Sequence, residues 1–368
     1  MVSRLFIHSF KMKVPFSSNN VRLSLREWFV VVAIVLAVFC LGPLLWERTE
    51  KFEPGQDYRL PYELSNDYWL YNRYCRLACL EYDTLVIGDS VVWGHYVPNN
   101  NTLSHYLNKM TGSSQYANLG VDGIHPVALA GLLQYYGRDI KGKNVILHFN
   151  PLWLSSKKHD LQIEKEFRFD HPQLAPQFIP NIPCYKDSYS KRIGAVIEDC
   201  VPLLGWASHF RITYFGSMDL PCWTIEHPYS NPFKNVTLQI PVSDYYDVSE
   251  KSVDKQDLPW VELDTSLQWR FFRRAVRILQ KRGNTIFVLV GPFNEHILKE
   301  KSAETYFKIK EEIEAWLKQN SVPYYMPEAL PGDLYRDASH PLSEGYAILA
   351  KQLFENESFR ASGLSQLK

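Results

Sequence analysis

The stretch Leu85-Val86-Ile87-Gly88-Asp89-Ser90 ends an apolar run on a serine, and Asp337-Ala338-Ser339-His340 sets a carboxylate and an imidazole three residues apart. A serine hydroxyl is a weak nucleophile until a base takes its proton, and a histidine oriented by a carboxylate is the usual base. Spacing by three lets Asp337 and His340 leave one turn in the same direction. Two further apolar runs end on Asn118-Leu119-Gly120 and His148-Phe149-Asn150. A glycine lets backbone approach a reacting centre closely, and an asparagine offers an uncharged N–H. Both suit an oxyanion hole, in which fixed donors meet the charge that develops on an attacked carbonyl. These residue types, taken together, point to acyl-ester chemistry through an acyl-Ser90. Ser90 is not the nucleophile elbow of G-x-S-x-G, because Val92 stands at the second glycine position.

Short apolar runs alternate with amphipathic stretches from Glu81 onward. Strands are expected at Thr84–Ile87, Tyr116–Leu119, Val145–Phe149, Thr285–Val290 and Val322–Tyr325. Helical spacing is expected for Trp269, Phe272, Val276 and Leu279, and again for Tyr306, Ile309, Ile313 and Trp316. Pro126 opens another helix, and a last one follows Pro341 with Leu342, Tyr346, Leu349 and Leu353 on one face. Such alternation predicts an α/β fold with a mostly parallel, doubly wound sheet in a three-layer α/β/α arrangement. Ligands then bind at the carboxyl ends of the strands, where all these residues fall. Residues 152 to about 265 interrupt the pattern; they are rich in proline and aromatics and read as an inserted subdomain or lid.

The blocks resemble those of the SGNH hydrolases, the GDSL-like lipases and acylhydrolases. Gly88-Asp89-Ser90, Gly120, Asn150 and Asp337 to His340 keep the family's order from about Glu81 to the C-terminus. The resemblance implies a triad of Ser90, Asp337 and His340, and oxyanion donors from Ser90, Gly120 and Asn150. The asparagine block departs from the family's Gly-x-Asn-Asp, reading His148-Phe149-Asn150-Pro151, and Val91 stands where many members have leucine. A second Asp-x-x-His, Asp122 to His125, follows Gly120 directly and is expected to line the cleft. Trp93, Gly94 and His95 after the nucleophile, and residues 291–296, Gly-Pro-Phe-Asn-Glu-His, are expected nearby.

Trp28 to Trp46 is uncharged and close to the roughly 20 residues that cross a hydrocarbon core. Arg4, Lys11, Lys13, Arg22 and Arg26 precede it with Glu27 the sole acid, which predicts a cytoplasmic tail over 1–27 and an extracytoplasmic domain. No small-x-small site follows the run, so an uncleaved anchor over 28–46 is expected. Residues 47–80, polar and containing Pro54-Gly55 and Pro61, read as a tether to a catalytic domain over 81–368. Lys+Arg and Asp+Glu both number 40, which argues against a nucleic-acid binder. No cofactor or metal is called for: there is no HExxH, and Cys75 and Cys79 lack a second pair at zinc-binding spacing. The cysteines outside the anchor allow two disulfides with one thiol left over. Asn100, Asn235 and Asn356 lie in N-x-[ST] sequons.

Anchored relatives of this kind add or remove O-acetyl groups on envelope polysaccharides, often beside a multispanning acyl donor protein. An acyl ester or glycan is therefore the expected substrate and the membrane the expected partner. The competing reading is a catalytically idle scaffold that binds a polysaccharide or a membrane acyltransferase.

Overall fold

In the computed structural model, which describes residues 23–165, 170–234, 236, 238 and 254–364, the strands carry apolar side chains on both faces. Leu85, Ile87, Val145, Leu147, Ile286 and Val288 enter one core, while Val86, Ile146, Phe287 and Leu289 enter a second on the other side. A strand buried on both faces must have a helical layer against each.

The chain begins with α1 (Leu25–Thr49) and α2 (Tyr68–Glu81), then β1 (Thr84–Ile87), α3 (Ser90–Trp93), α4 (Leu103–Thr111), β2 (Tyr116–Asn118), α5 (Pro126–Tyr135) and β3 (Asn144–Phe149). After β3 come α6 (Tyr189–Cys200), α7 (Pro202–Thr213) and α8 (Leu220–Glu226), all within the stretch expected as an insertion. The alternation then resumes with α9 (Leu267–Lys281), β4 (Thr285–Val290), α10 (Glu300–Gln319), β5 (Tyr324–Tyr325), α11 (Ser343–Glu355) and α12 (Glu357–Ala361).

All five strands pair in parallel, in the order β2-β1-β3-β4-β5. This is the doubly wound, flavodoxin-like order, and its direction reverses between β1 and β3. One core packs the sheet against α2, α5, α9 and α10 through Tyr71, Leu132, Trp269, Phe272 and Ile313. The other packs it against α4, α11 and α12 through Leu107, Leu349 and Phe359. Fully burying each such side chain contributes about 1.5–3 kcal/mol before ordering costs. The aromatic pairs Phe149–Trp269 and Phe287–Phe359, with centroids 5.2 and 5.1 Å apart, fix α9 and α12 to opposite faces.

Helix α1 is long and apolar enough to cross a membrane and is almost wholly exposed along its apolar run. It starts on a capping box in which Ser24 and Glu27 satisfy each other's backbone N–H groups. Arg4, Lys11, Lys13 and Arg22, on which the orientation reading drew, lie outside the described residues, as does Asn235. Asn100 is exposed, whereas the Asn356 side chain caps α12 by accepting from Phe359 N.

Two expectations need correction. Residues 47–80 are not a loose tether: α2 is capped by Asp67 and buries Tyr68, Leu70, Tyr71, Tyr74, Cys75 and Ala78. Its tyrosines keep their hydroxyls bonded, Tyr74 to Tyr58 O at 3.0 Å, Tyr71 to Leu119 O at 3.4 Å and Tyr68 to His171 Nδ1 at 3.0 Å, so polar tips enter the core without loss. Nor do any of the six cysteines pair; Cys75 and Cys184 are buried as small apolar residues.

The ends of α1, α2 and α7 meet in a buried charge cluster. His209 sits between Asp67 Oδ2 at 2.6 Å and Glu50 Oε1 at 3.0 Å, and Arg73 pairs with Glu50. Burial alone would lower the imidazole, but Asp67 and then Glu50 push it up to about 9.

Candidate active site

The reversal of strand order leaves a crevice beyond the carboxyl ends of β1 and β3. Both loops that enter it carry a residue singled out by sequence. Ser90 lies three residues beyond the end of β1 and opens α3, and Asn150 directly follows β3. Asp337 and His340 arrive on the loop between β5 and α11. Tyr346 ties that helix to the nucleophile turn by donating to Val91 O at 2.7 Å.

The three residues meet. His340 Nε2 lies 2.7 Å from Ser90 Oγ, and His340 Nδ1 lies 2.8 Å from both carboxylate oxygens of Asp337. Asp337 Oδ1 also accepts from the backbone N–H groups of Ser339 and His340 at 2.9 and 3.0 Å. Burial would raise Asp337, yet His340 and these two donors hold it down to about 2. Burial would likewise lower His340, but Asp337 raises it, helped by the more distant Asp89 and Asp122. The imidazole is thus set to take a proton from Ser90 and keep it beside a fixed negative charge.

The expected oxyanion donors are only partly as foreseen. The Ser90 N–H has no acceptor among the described residues and is available. The Gly120 N–H instead donates to Asn118 Oδ1 at 3.0 Å. What Gly120 supplies is room: a Cβ there would lie 2.4 Å from Trp93 N and 2.9 Å from Val92 C, in the backbone of α3. Asn150 directs one amide hydrogen to Asp89 Oδ2 at 3.0 Å, which leaves its second for the crevice.

Asp89, between Gly88 and Ser90, proves to be a hub that sequence reasoning passed over. Its Oδ1 accepts from Val91 N at 3.0 Å and lies 3.1 Å from His148 Nδ1, while its Oδ2 also accepts from Trp153 Nε1 at 3.0 Å. Burial alone would raise this carboxylate, but His148 and these donors hold it below its ordinary range. His148 in turn bonds Gly291 O through Nε2 at 2.9 Å, which joins the ends of β3 and β4. The expected approach of residues 291–296 is met through Asn294, whose backbone N–H donates to Ala338 O at 2.9 Å and so holds the Asp337 loop.

Arg59 is a second omission. Its guanidinium donates to the carbonyls of Trp93, Gly94 and Val97 and stacks 3.8 Å over the Trp93 ring, clamping the loop after Ser90. Burial lowers it to about 10, so it stays charged at neutral pH.

Asp122 does not pair with His125, which caps α5 and bonds Asp170 O. It pairs instead with His95, 2.6 Å from Nδ1, and the His95 ring lies 5.2 Å from that of His340. Beyond Asp122 opens a polar cleft of about 580 Å³ lined by Tyr62, Glu63, Asn66, Asp170 and His171 among others. Trp93 is buried, with Nε1 donating to Leu60 O at 2.6 Å, so it supports the turn rather than lining a pocket.

Compared with known proteins, the chain matches no family model and no curated sequence.

Proposed function

We propose that this chain is a membrane-anchored serine esterase or O-acyltransferase of the SGNH type, with its domain on the extracytoplasmic side. The observation that supports it most is the 2.7 Å approach of His340 Nε2 to Ser90 Oγ, with Asp337 on the far ring nitrogen. The residues are far apart in the chain, and they meet at one edge of the sheet in the geometry that proton transfer needs.

In this reading His340 takes the Ser90 proton as Oγ attacks the acyl carbonyl. The negative charge on the carbonyl oxygen is met by the Ser90 N–H and the free amide hydrogen of Asn150. As the tetrahedral adduct collapses, the ester C–O bond breaks and His340 gives its proton to the departing alcohol. Water or a sugar hydroxyl then loses its proton to His340 and attacks acyl-Ser90, and the proton returns to Oγ on release. The polar cleft beside Asp122 fits a hydroxyl-rich partner, which favours O-acyl groups of envelope glycans as substrate. A multispanning membrane protein is the proposed source of acyl groups when the reaction runs as transfer.

A fluorophosphonate probe, which reacts only with an activated serine, tests the reading on the full chain in detergent. Ser90→Ala should abolish labelling and lower esterase turnover by at least about 10³-fold. A well-folded wild type that takes up no probe would favour the idle scaffold instead.

A further inference from the structure

Helix α7 does not simply touch the end of α1; it runs alongside it in the same direction. Trp206 packs on Gly42, Phe210 on Trp46 at 4.6 Å, and Tyr214 Oη donates to Glu50 Oε1 at 2.5 Å, so rising numbers in one helix match rising numbers in the other. The start of α7 therefore points back along α1, into its apolar run.

The depth follows from helix geometry. Gly42 is four residues inside Trp46, about 6 Å at 1.5 Å per residue, and Leu203 and Leu204 reach about 3–5 Å further. That places the α6–α7 corner about 9–11 Å inside the Trp46 level, near the depth at which interfacial helices settle. The chemistry of the corner matches the depth. Val201 to Ser208 (VPLLGWAS) contains no ionisable side chain, and Leu204 is exposed. The acids just before it turn toward the protein: Asp199 accepts from Tyr136 Oη at 3.0 Å, and Glu198 is engaged by Ser208 and Gln173. Backbone donors are nearly used up as well, since Val201 N bonds Ile197 O, Leu204 N bonds Val201 O, both at 2.9 Å, and Pro202 has no N–H. Around it Trp46, Trp206, Phe210, Tyr214 and Phe233 form the kind of aromatic cluster that favours a membrane–water boundary.

We propose that the α6–α7 corner is a second membrane-seated element, with Pro202, Leu203 and Leu204 among the lipid acyl chains of the leaflet next to the domain. The apolar surface of Leu41, Leu44 and Leu45 on α1 continues into it. Two points of insertion fix the orientation of the domain on the bilayer, where one helix would leave it free to swing. The inference rests on the reading of α1 as a membrane span.

The test uses the full chain in phosphatidylcholine vesicles, with the photo-crosslinker p-benzoylphenylalanine placed singly at Leu204, at Leu36 on the exposed face of α1, or at Arg211 near the far end of α7. Lipid adducts at Leu204 should approach the Leu36 yield and exceed the Arg211 yield at least about tenfold, as expected of an interfacial helix face. The same label at exposed Pro202 gives an independent reading should the Leu204 variant fold poorly. Strong adducts at Leu36 with no excess over Arg211 at either corner position would overturn the inference alone. No adducts at Leu36 would overturn the span and the corner together.

Discussion

Removing the Asp89 side chain should damage stability and chemistry together, and the geometry fixes by how much. Asp89→Ala leaves Val91 N–H, the Asn150 amide and the Trp153 indole N–H without their acceptor. Each buried donor so stranded costs about 1–3 kcal/mol, so the sum is at least about 3 kcal/mol. In a domain of about 300 residues that lowers the melting temperature by at least about 5 °C. Asp89→Asn is milder. Its carbonyl can hold the Oδ2 position and keep Asn150 and Trp153, which sacrifices the Val91 bond, about 1–3 kcal/mol, and the ion-pair contact with His148 Nδ1. The lowered folded-state value of Asp89 adds a pH signature. Its contribution is present above the unfolded carboxylate range and is lost as pH falls through the folded value, so this part of the acid sensitivity should vanish in both variants. Circular-dichroism melts of the full chain in detergent measure the first effect. The fluorophosphonate labelling rate measures the second, since a freed Asn150 no longer holds its amide toward the oxyanion. If Asp89→Ala melted with the wild type and labelled at the same rate, the hub would be an accident of packing and the argument would fail.

The labelling rate of the wild type should rise with pH through a midpoint above 6.5, because the base must be neutral and Asp337 raises His340. Asp337→Asn should move that midpoint down and slow labelling by about 10²–10⁴-fold, and an unmoved midpoint would refute the pairing. Gly120→Ala pushes a methyl into the α3 backbone and should cost about 1–3 kcal/mol in a denaturant titration, with slower labelling because the displaced element carries Ser90. Arg59→Ala leaves three carbonyls without their charged donor. It should cost at least about 4.5 kcal/mol at about 1.5 kcal/mol or more per bond, and a melt like the wild type would speak against the clamp.

The sheet was legible because strands buried on both faces are uninterrupted apolar runs set off by turn residues. Thr84–Ile87 and Thr285–Val290 occur as expected, and the other boundaries move by one or two residues. Ser90, Asp337 and His340 were legible for a related reason: in a parallel sheet, strand ends share one edge, so chemistry at several strand ends converges. What lay hidden was whatever depends on a partner far along the chain. His148 lies on β3 and Asp89 on the turn after β1, and neither sequence context announces a pair. Asp122 had a nearby histidine at the right spacing and uses another, because His125 is committed to capping α5. The Gly120 N–H was assigned by the family's pattern, but the side chain of Asn118 two residues earlier takes it first. A signal for α2 did exist, in Asp67 as a cap followed by Tyr68, Tyr71, Cys75 and Ala78 at helical spacing. Tyrosine and arginine diluted it, since they count as polar until their hydroxyls and guanidinium are seen to be bonded.

The same misreading explains the supposed tether and shows what the segment is for. Glu50, Asp67 and Arg73 look like a solvated charge run, yet their side chains are buried around His209 of α7. Isolated, any one of these charges would be costly to bury; as two cations facing two carboxylates they are tolerable, and removing one member strands the others. His209 is held charged by its neighbours, so its contribution is fully present below its unfolded value and is lost as pH rises through about 9. Such a cluster adds little net stability but is selective about geometry, because only one arrangement of α1, α2 and α7 satisfies it. That arrangement also places Arg59, between Glu50 and Asp67 in sequence, against the loop that follows Ser90. The segment between α1 and the sheet therefore works as a rigid joint: the apolar helix, the helical insertion and the Ser90 turn are positioned by one set of contacts rather than joined by a flexible leash.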